Sequence, residues 1–222
     1  MTWIGARYRF ASTFSYRLPN FSSSYALSAP APSPSTIKLA IIATAIRSSG
    51  DVEEGRRLFE KIRTAEVTVE LPHKIAAFKG FIKRLKAKRQ ERGFESTFGI
   101  REYIVYSDPL GIYIDVAEDV TEKVSRVLRR IQYLGTSDSL CTCLESGIAD
   151  PPTERCIKPF KERGEGIIFL LTDFTEEVSF ENINPYSGSR MREEKHLRRI
   201  PYLFPLRITK KESNYTIYET LT

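Results

Sequence analysis

The sequence predicts an α+β protein with a ferredoxin-like core, interrupted by one inserted basic segment and followed by a small β-rich extension. Three observations predict it. Stretches that alternate apolar and polar residues are separated by stretches of helical period. Their order is strand, helices, strand, insertion, strand pair, helix, strand, which fits the βαββαβ (RRM-like) arrangement found in many RNA-binding modules. The helical stretches open on recognisable caps, and the segment that breaks the pattern, about 74–98, is dense in lysine and arginine. A chain of 222 residues with 41% hydrophobic content buries a sizeable core. We expect 1–173 to form the core domain with its insertion and 174–222 the extension.

The first strand spans roughly Trp3 to Phe14, where Ile4, Ala6, Tyr8 and Phe10 alternate with Gly5, Arg7 and Arg9. A loop rich in Ser, Pro and aromatics follows, from Ser15 to Ala31. Ser33 is the expected cap of the first helix, with Pro34 at its first position and the apolar stretch Ile37 to Ile46 behind it. Asp51 opens a second helix through Arg63. Val67, Val69 and Leu71 alternate as a strand closed by Pro72.

The basic segment 74–92 reads either as an amphipathic helix, with Phe78, Phe81, Ile82 and Leu85 on one side, or as an arm protruding from the domain. Tyr103 to Tyr106 and Ile112 to Val116 read as a strand pair around Ser107–Gly111. Thr121 to Gln132 reads as an amphipathic helix capped by Thr121 and ended by Gly135. Gly166 to Leu171 is the expected last core strand, and Leu206 to Thr209 and Tyr215 to Tyr218 close the chain.

The formal charge of +6 is unevenly spread. Residues 1–50 carry +5 with no acid, 74–92 carry +7 and 190–211 carry +6, so the rest of the chain is strongly acidic. Such segregation suits a protein with one face toward nucleic acid and another toward solvent or a protein partner. An acid-free N-terminus also resembles a transit peptide, but its alternation is that of a half-buried strand. The apolar run 39–46 is too short to span a bilayer. We expect a soluble, cytoplasmic protein without a membrane partner. Three cysteines make no disulfide framework and no zinc-ligand spacing, so they read as structural residues in a reducing compartment, with no metal and no cofactor.

Three constellations are candidates for RNA binding. At the first helix, Ser33, Ser35, Thr36 and Lys38 surround free N–H groups and a positive dipole end, which suit a phosphate. In the first strand and loop, Arg7, Arg9, Tyr16 and Arg17, with Phe21 and Tyr25, interleave cations with stacking surfaces. In the insertion, Lys74, Lys79, Lys83 and Arg84 sit among aromatics. Catalysis has little to stand on. The two histidines, His73 and His196, each adjoin a lysine, and no nucleotide-binding loop, paired metal-binding carboxylates or nucleophile triad is present.

The stretch Ala31-Pro32-Ser33-Pro34-Ser35-Thr36 resembles the start of RAMP proteins of type I CRISPR systems. Arg101-Glu102-Tyr103, Asp108-Pro109-Leu110, Ile112-Tyr113-Ile114 and the run from Ile131 to Leu140 resemble, in that order, CRISPR-associated protein family five of the archaeal type I-A group. The likeness covers about the first two thirds of the chain. It implies a ferredoxin-like subunit that caps the 5′ handle of the guide RNA (crRNA), with a thumb lying over the RNA beside the backbone subunit. It further implies a contact with the large subunit of the Cascade surveillance complex and, indirectly, with target DNA. Arg101 and Ser137 join the candidate RNA contacts on this ground. In the type I-C branch the corresponding subunit cleaves repeat RNA with Tyr, Lys and His, for which His73-Lys74 or Lys195-His196 are the available residues. In the type I-A group a separate enzyme cuts, so the expectation is binding without catalysis. The alternative is a metal-independent endoribonuclease.

Overall fold

The computed structural model describes residues 1–18, 25–88 and 92–221, apart from the side chains of Tyr25, Ala26 and Arg84. In chain order its elements are β1 (Thr2–Phe10), β2 (Tyr25–Ala26), α1 (Pro34–Ser49), α2 (Val52–Ile62), β3 (Val67–Glu70), β4 (Lys74–Ala87), β5 (Phe94–Tyr106), β6 (Leu110–Val116), α3 (Thr121–Leu128), β7 (Cys141–Ile148), β8 (Lys158–Pro159), β9 (Ile167–Phe174), α4 (Phe180–Ile183), α5 (Glu193–His196), β10 (Leu197–Phe204), β11 (Leu206–Lys211) and β12 (Tyr215–Thr220).

Period-two alternation sets the main sheet. Ile4, Ala6 and Tyr8 of β1 lie opposite Ile114, Ile112 and Leu110 of β6, and Val67 and Val69 of β3 lie opposite Ile114 and Ile112. All are buried, so these three strands share one apolar face. The strand order is β3-β6-β1-β7, antiparallel at each pairing. The chain thus runs strand, two helices, strand, strand, helix, strand, with the arm inserted between β3 and β6.

Helices α1 and α3 cover the apolar face with Ile37, Ile41, Val124 and Leu128, all without exposed surface. Tyr8 reaches through this layer, and its hydroxyl donates to the Leu128 carbonyl at 2.7 Å. Helix α1 begins as expected, with Ser33 accepting from the Thr36 N–H. It ends at Gly50, whose φ of 71° lets its N–H return to the Ile46 carbonyl. Asp51 then caps α2, and Phe59 of α2 meets Phe174 and Phe180 at centroid distances of 5.8 and 6.0 Å.

Segment 74–106 is a long β-hairpin, β4 paired with β5 from Ile75↔Tyr106 to Ala87↔Phe94, so the basic segment is the protruding arm, the second of its two readings. Three expectations change. Residues 103–106 and 112–116 do not pair with each other. The first belong to the hairpin, and the second give their apolar side to the main sheet. The fourth core strand is β7, whereas Ile167–Phe174 joins a separate sheet of order β8-β10-β9 beside α1. Helix α3 stops at Leu128, and Gln132 instead accepts from the Cys141 N–H.

Residue 173, where the sequence suggests a division, lies within β9, which pairs with β10 from beyond it. The C-terminal hairpin β11–β12 adds to β4, giving a sheet of order β11-β12-β4-β5-β2. Strands from both sides of residue 173 therefore share sheets. No helix among the described residues is long and apolar enough to cross a membrane.

Candidate nucleic-acid interface

The arm grows out of the core. At its root Ile75, Ala77 and Ile104 are buried, and β12 pairs with β4 from Tyr215↔Phe78 to Glu219↔Lys74. This backing fixes the hairpin's direction. Residues paired across a hairpin share a face, so the face that is core at the root continues outward as Phe81, Lys83, Leu85, Phe98 and Ile100. Out here none of the described residues covers it: Phe81 is 71% exposed and Phe98 59%. Their rings stack at 5.5 Å, with the Lys83 ammonium 5.7 Å from the Phe98 centroid. On the opposite face Phe78 and Tyr103 lie 5.9 Å apart. Tyr103 lies against Gly80, where a Cβ would come within 2.8 Å of the ring. Exposed aromatic faces beside cations are what unpaired bases and their phosphates bind.

Loops 12–18 and 133–140 meet at the root. Ser15 N–H donates to Ser139 Oγ at 3.0 Å, and the hydroxyls of Ser15 and Ser28 donate to the Glu102 carbonyl. The Arg101 guanidinium lies 3.7 Å from Asp138, joining two of the stretches that carry the sequence resemblance. Burial raises the Glu102 carboxyl above its ordinary range, against the hydrogen bond it accepts from the Ser28 N–H and the nearby charge of Lys79.

The candidate residues fall into three groups. Arg9 and Arg17 are exposed near the root, as is Ser137, and Lys83 is exposed farther out on the arm. Arg7, Lys74 and Lys79 are partly engaged: Arg7 sits 3.8 Å from Glu145, Lys74 3.2 Å from Glu219, and Lys79 donates to the Ser213 carbonyl. The side chains of Arg84, Phe21 and Tyr25 lie outside the described residues. The third group is the helix end, which is turned inward. Ser33, Ser35 and Lys38 are buried, and the Ser33 hydroxyl bonds with Tyr16, Ser35, Thr36 and Thr172.

Lys38 has no exposed surface. It donates to Asp173 Oδ1 at 2.8 Å and to the Arg63 carbonyl at 2.9 Å. Burial lowers its pKa, a fall that Asp173 only partly offsets. The expected phosphate contact at this helix end therefore gives way to a structural role, because its polar groups are already matched inside the protein. The partner Asp173 was hidden from sequence reasoning by a separation of 135 positions along the chain. Phe98 and Tyr103 were missed as well, and only the register of the hairpin reveals them.

The histidines are far apart in kind. His73 is exposed at the root of β4 and contacts Asp108 at 3.3 Å and Arg155 at 3.2 Å. Burial alone would raise the Asp108 carboxyl, yet hydrogen bonds from Ser107 and His73 hold it below its ordinary value. His196 is buried, and its Nδ1 accepts from the Arg192 N–H. Burial pushes the Cys141 thiol up to about 12 and that of Cys156 up to about 11, so both are protonated, inert residues at neutral pH.

No family model matches the chain. Among solved structures, a CRISPR protein from Archaeoglobus fulgidus superposes with a TM-score of 0.56 at 12% identity, covering 100% of this chain and 93% of that one. A chain of a CRISPR RNA-guided surveillance complex gives a TM-score of 0.49 at 14% identity, covering 91% of each. The fold is thus one that the Archaeoglobus fulgidus CRISPR protein shares. In sequence, the CRISPR-associated protein Cas5 of Archaeoglobus fulgidus is 41% identical over 224 residues, spanning 95% of both chains. At that identity and coverage, the chain belongs to the Cas5 family.

Proposed function

We propose that this chain is a non-catalytic subunit of a type I-A Cascade surveillance complex that binds the guide RNA and caps its 5′ handle. The arm lies over the RNA beside the backbone subunit, and the large subunit docks nearby, linking the chain indirectly to target DNA. The observation that carries this reading is the arm of a Cas5-family chain: it presents the stacked, solvent-facing Phe81 and Phe98 with Lys83 beside them. Arg9, Arg17 and Ser137 at the root extend that surface, with cations tracking the phosphates and rings taking the bases.

Binding without cleavage is favoured by the state of the two histidines. One is held between Asp108 and Arg155, and the other is buried against its own backbone. A general base for RNA cleavage must reach a 2′-hydroxyl. Labelled repeat RNA incubated with the protein in EDTA tests this directly. Retention of intact RNA is the expected result. Cleavage that disappears in His73→Ala or His196→Ala would make the chain a metal-independent endoribonuclease instead.

A further inference from the structure

Away from the arm, three arginines converge on one hollow. It measures about 490 Å³ and opens between the end of α1, the end of α3 and the start of β7. Arg47, Arg129 and Arg130 line it, together with Thr44, Ser48 and Gln132, and none of its lining residues is acidic. Three like charges gathered around a solvent-filled hollow repel one another unless an anion joins them.

Two of the three are held in place by neutral partners. Arg47 donates to the Tyr133 hydroxyl and to Thr44 Oγ1 at 3.0 Å, and its guanidinium carbon sits 4.8 Å from the Tyr133 ring centroid. Arg129 donates to the Ser146 carbonyl at 2.7 Å. None of these three bonds neutralises charge. Arg130 is exposed, and no ion pair or side-chain hydrogen bond engages it among the described residues. Two fixed guanidinium groups and one free to swing are a built arrangement for a tetrahedral oxyanion.

The hollow is joined to the arm by loop 133–140. At one end of that loop Tyr133 lies under Arg47, and near the other Asp138 faces Arg101 at the arm's root. Loop 133–140 thus touches both the arm's root and the rim of the hollow.

We propose that Arg47, Arg129 and Arg130 form a second phosphate site that holds one phosphodiester group of the nucleic-acid strand leaving the arm, an inference that rests on the RNA-binding reading above. The hollow is larger than a phosphate, and the exposed Ser48 and Gln132 leave polar groups for the adjoining sugar.

The test is the salt dependence of single-stranded RNA binding by the full chain, measured for wild type, Arg130→Gln, the triple variant R47Q/R129Q/R130Q and an arm variant K79A/K83A. Each lost phosphate contact lowers the slope of log affinity against log salt by about 0.7. The three arginines share one phosphodiester group, so the triple variant is expected to lower it by about 0.7 and Arg130→Gln by part of that. Arg130 is exposed and makes no side-chain hydrogen bond or ion pair among the described residues, so its variant reads the site even if the triple variant is destabilised. A wild-type slope in Arg130→Gln, with loss in the arm variant, would overturn this site and leave the RNA-binding reading standing. No RNA binding by wild type would overturn both. A parallel melt with inorganic phosphate separates sources: stabilisation of wild type by phosphate with no change in the Arg130→Gln RNA slope would make the hollow a site for free anions and overturn its assignment to a strand.

Discussion

Replacing Lys38 by Met separates a structural lysine from a phosphate-binding one. Its ammonium is bonded to Asp173 and to the Arg63 carbonyl with no surface open to solvent. Methionine fills similar space but leaves a buried carboxylate without its partner, a change that costs about 3–5 kcal/mol. The lower end applies here. Asp173 keeps the Phe174 N–H at 2.8 Å and the Arg198 guanidinium at 3.6 Å. For a chain of this length about 3 kcal/mol corresponds to a fall in Tm of roughly 6–12 °C. Urea unfolding measures the free energy, and a double variant, Lys38→Met with Asp173→Leu, should recover much of the loss by removing both charges. RNA affinity measured well below the melting temperature should not change. A loss below about 1 kcal/mol, or weakened RNA binding in a fully stable Lys38→Met protein, would refute the reasoning and return Lys38 to the binding surface.

Alanine at Lys79, Lys83 and Arg84 together should weaken RNA binding and lower the salt slope by about 2, read by fluorescence anisotropy at several salt concentrations. Phe81→Ala with Phe98→Ala should cost about 1–3 kcal/mol of RNA affinity per stacked base while leaving the melting temperature nearly unchanged, since both rings are exposed. Glu102→Gln tests the half-buried carboxyl at the arm's root. The folded-state pKa of Glu102 is raised, so protonation favours the fold and ionisation above the unfolded value costs stability. The glutamine variant keeps an acceptor for Ser28 and should be more stable than wild type at pH 7. Its advantage should vanish in melts at pH values below the ordinary carboxylate range, where the wild-type group is protonated in both states.

Local signals carried much of the fold. The Ser33-Pro34 start of α1, the Asp51 cap of α2 and the alternation of Ile4, Ala6 and Tyr8 each reflect an interaction within a few residues, and each stands where the sequence indicates. The arm was ambiguous for a physical reason. Phe78, Phe81, Ile82 and Leu85 recur at helical spacing, and a hairpin with both faces in solvent has no buried side to impose alternation. Strand β7 was obscured by its polar composition and by the register shift between Arg7 and Tyr8.

The site was legible in part. The positive charge of 74–92 located the arm, but its aromatic pairs are set by cross-strand register. Lys38 shows the opposite error. A lysine beside a helix start reads as a surface cation until its partner, supplied by a different sheet, is in view.

The central claim is that this Cas5-family chain holds the 5′ end of a guide RNA. It is tested most directly by co-expressing the chain with a backbone subunit and a CRISPR array, purifying the complex at moderate salt, and sequencing the 5′ ends of the RNA that comes with it. A uniform, repeat-derived 5′ end is the predicted result. Absent RNA, or RNA with random ends, would contradict the account and assign the arm to another partner.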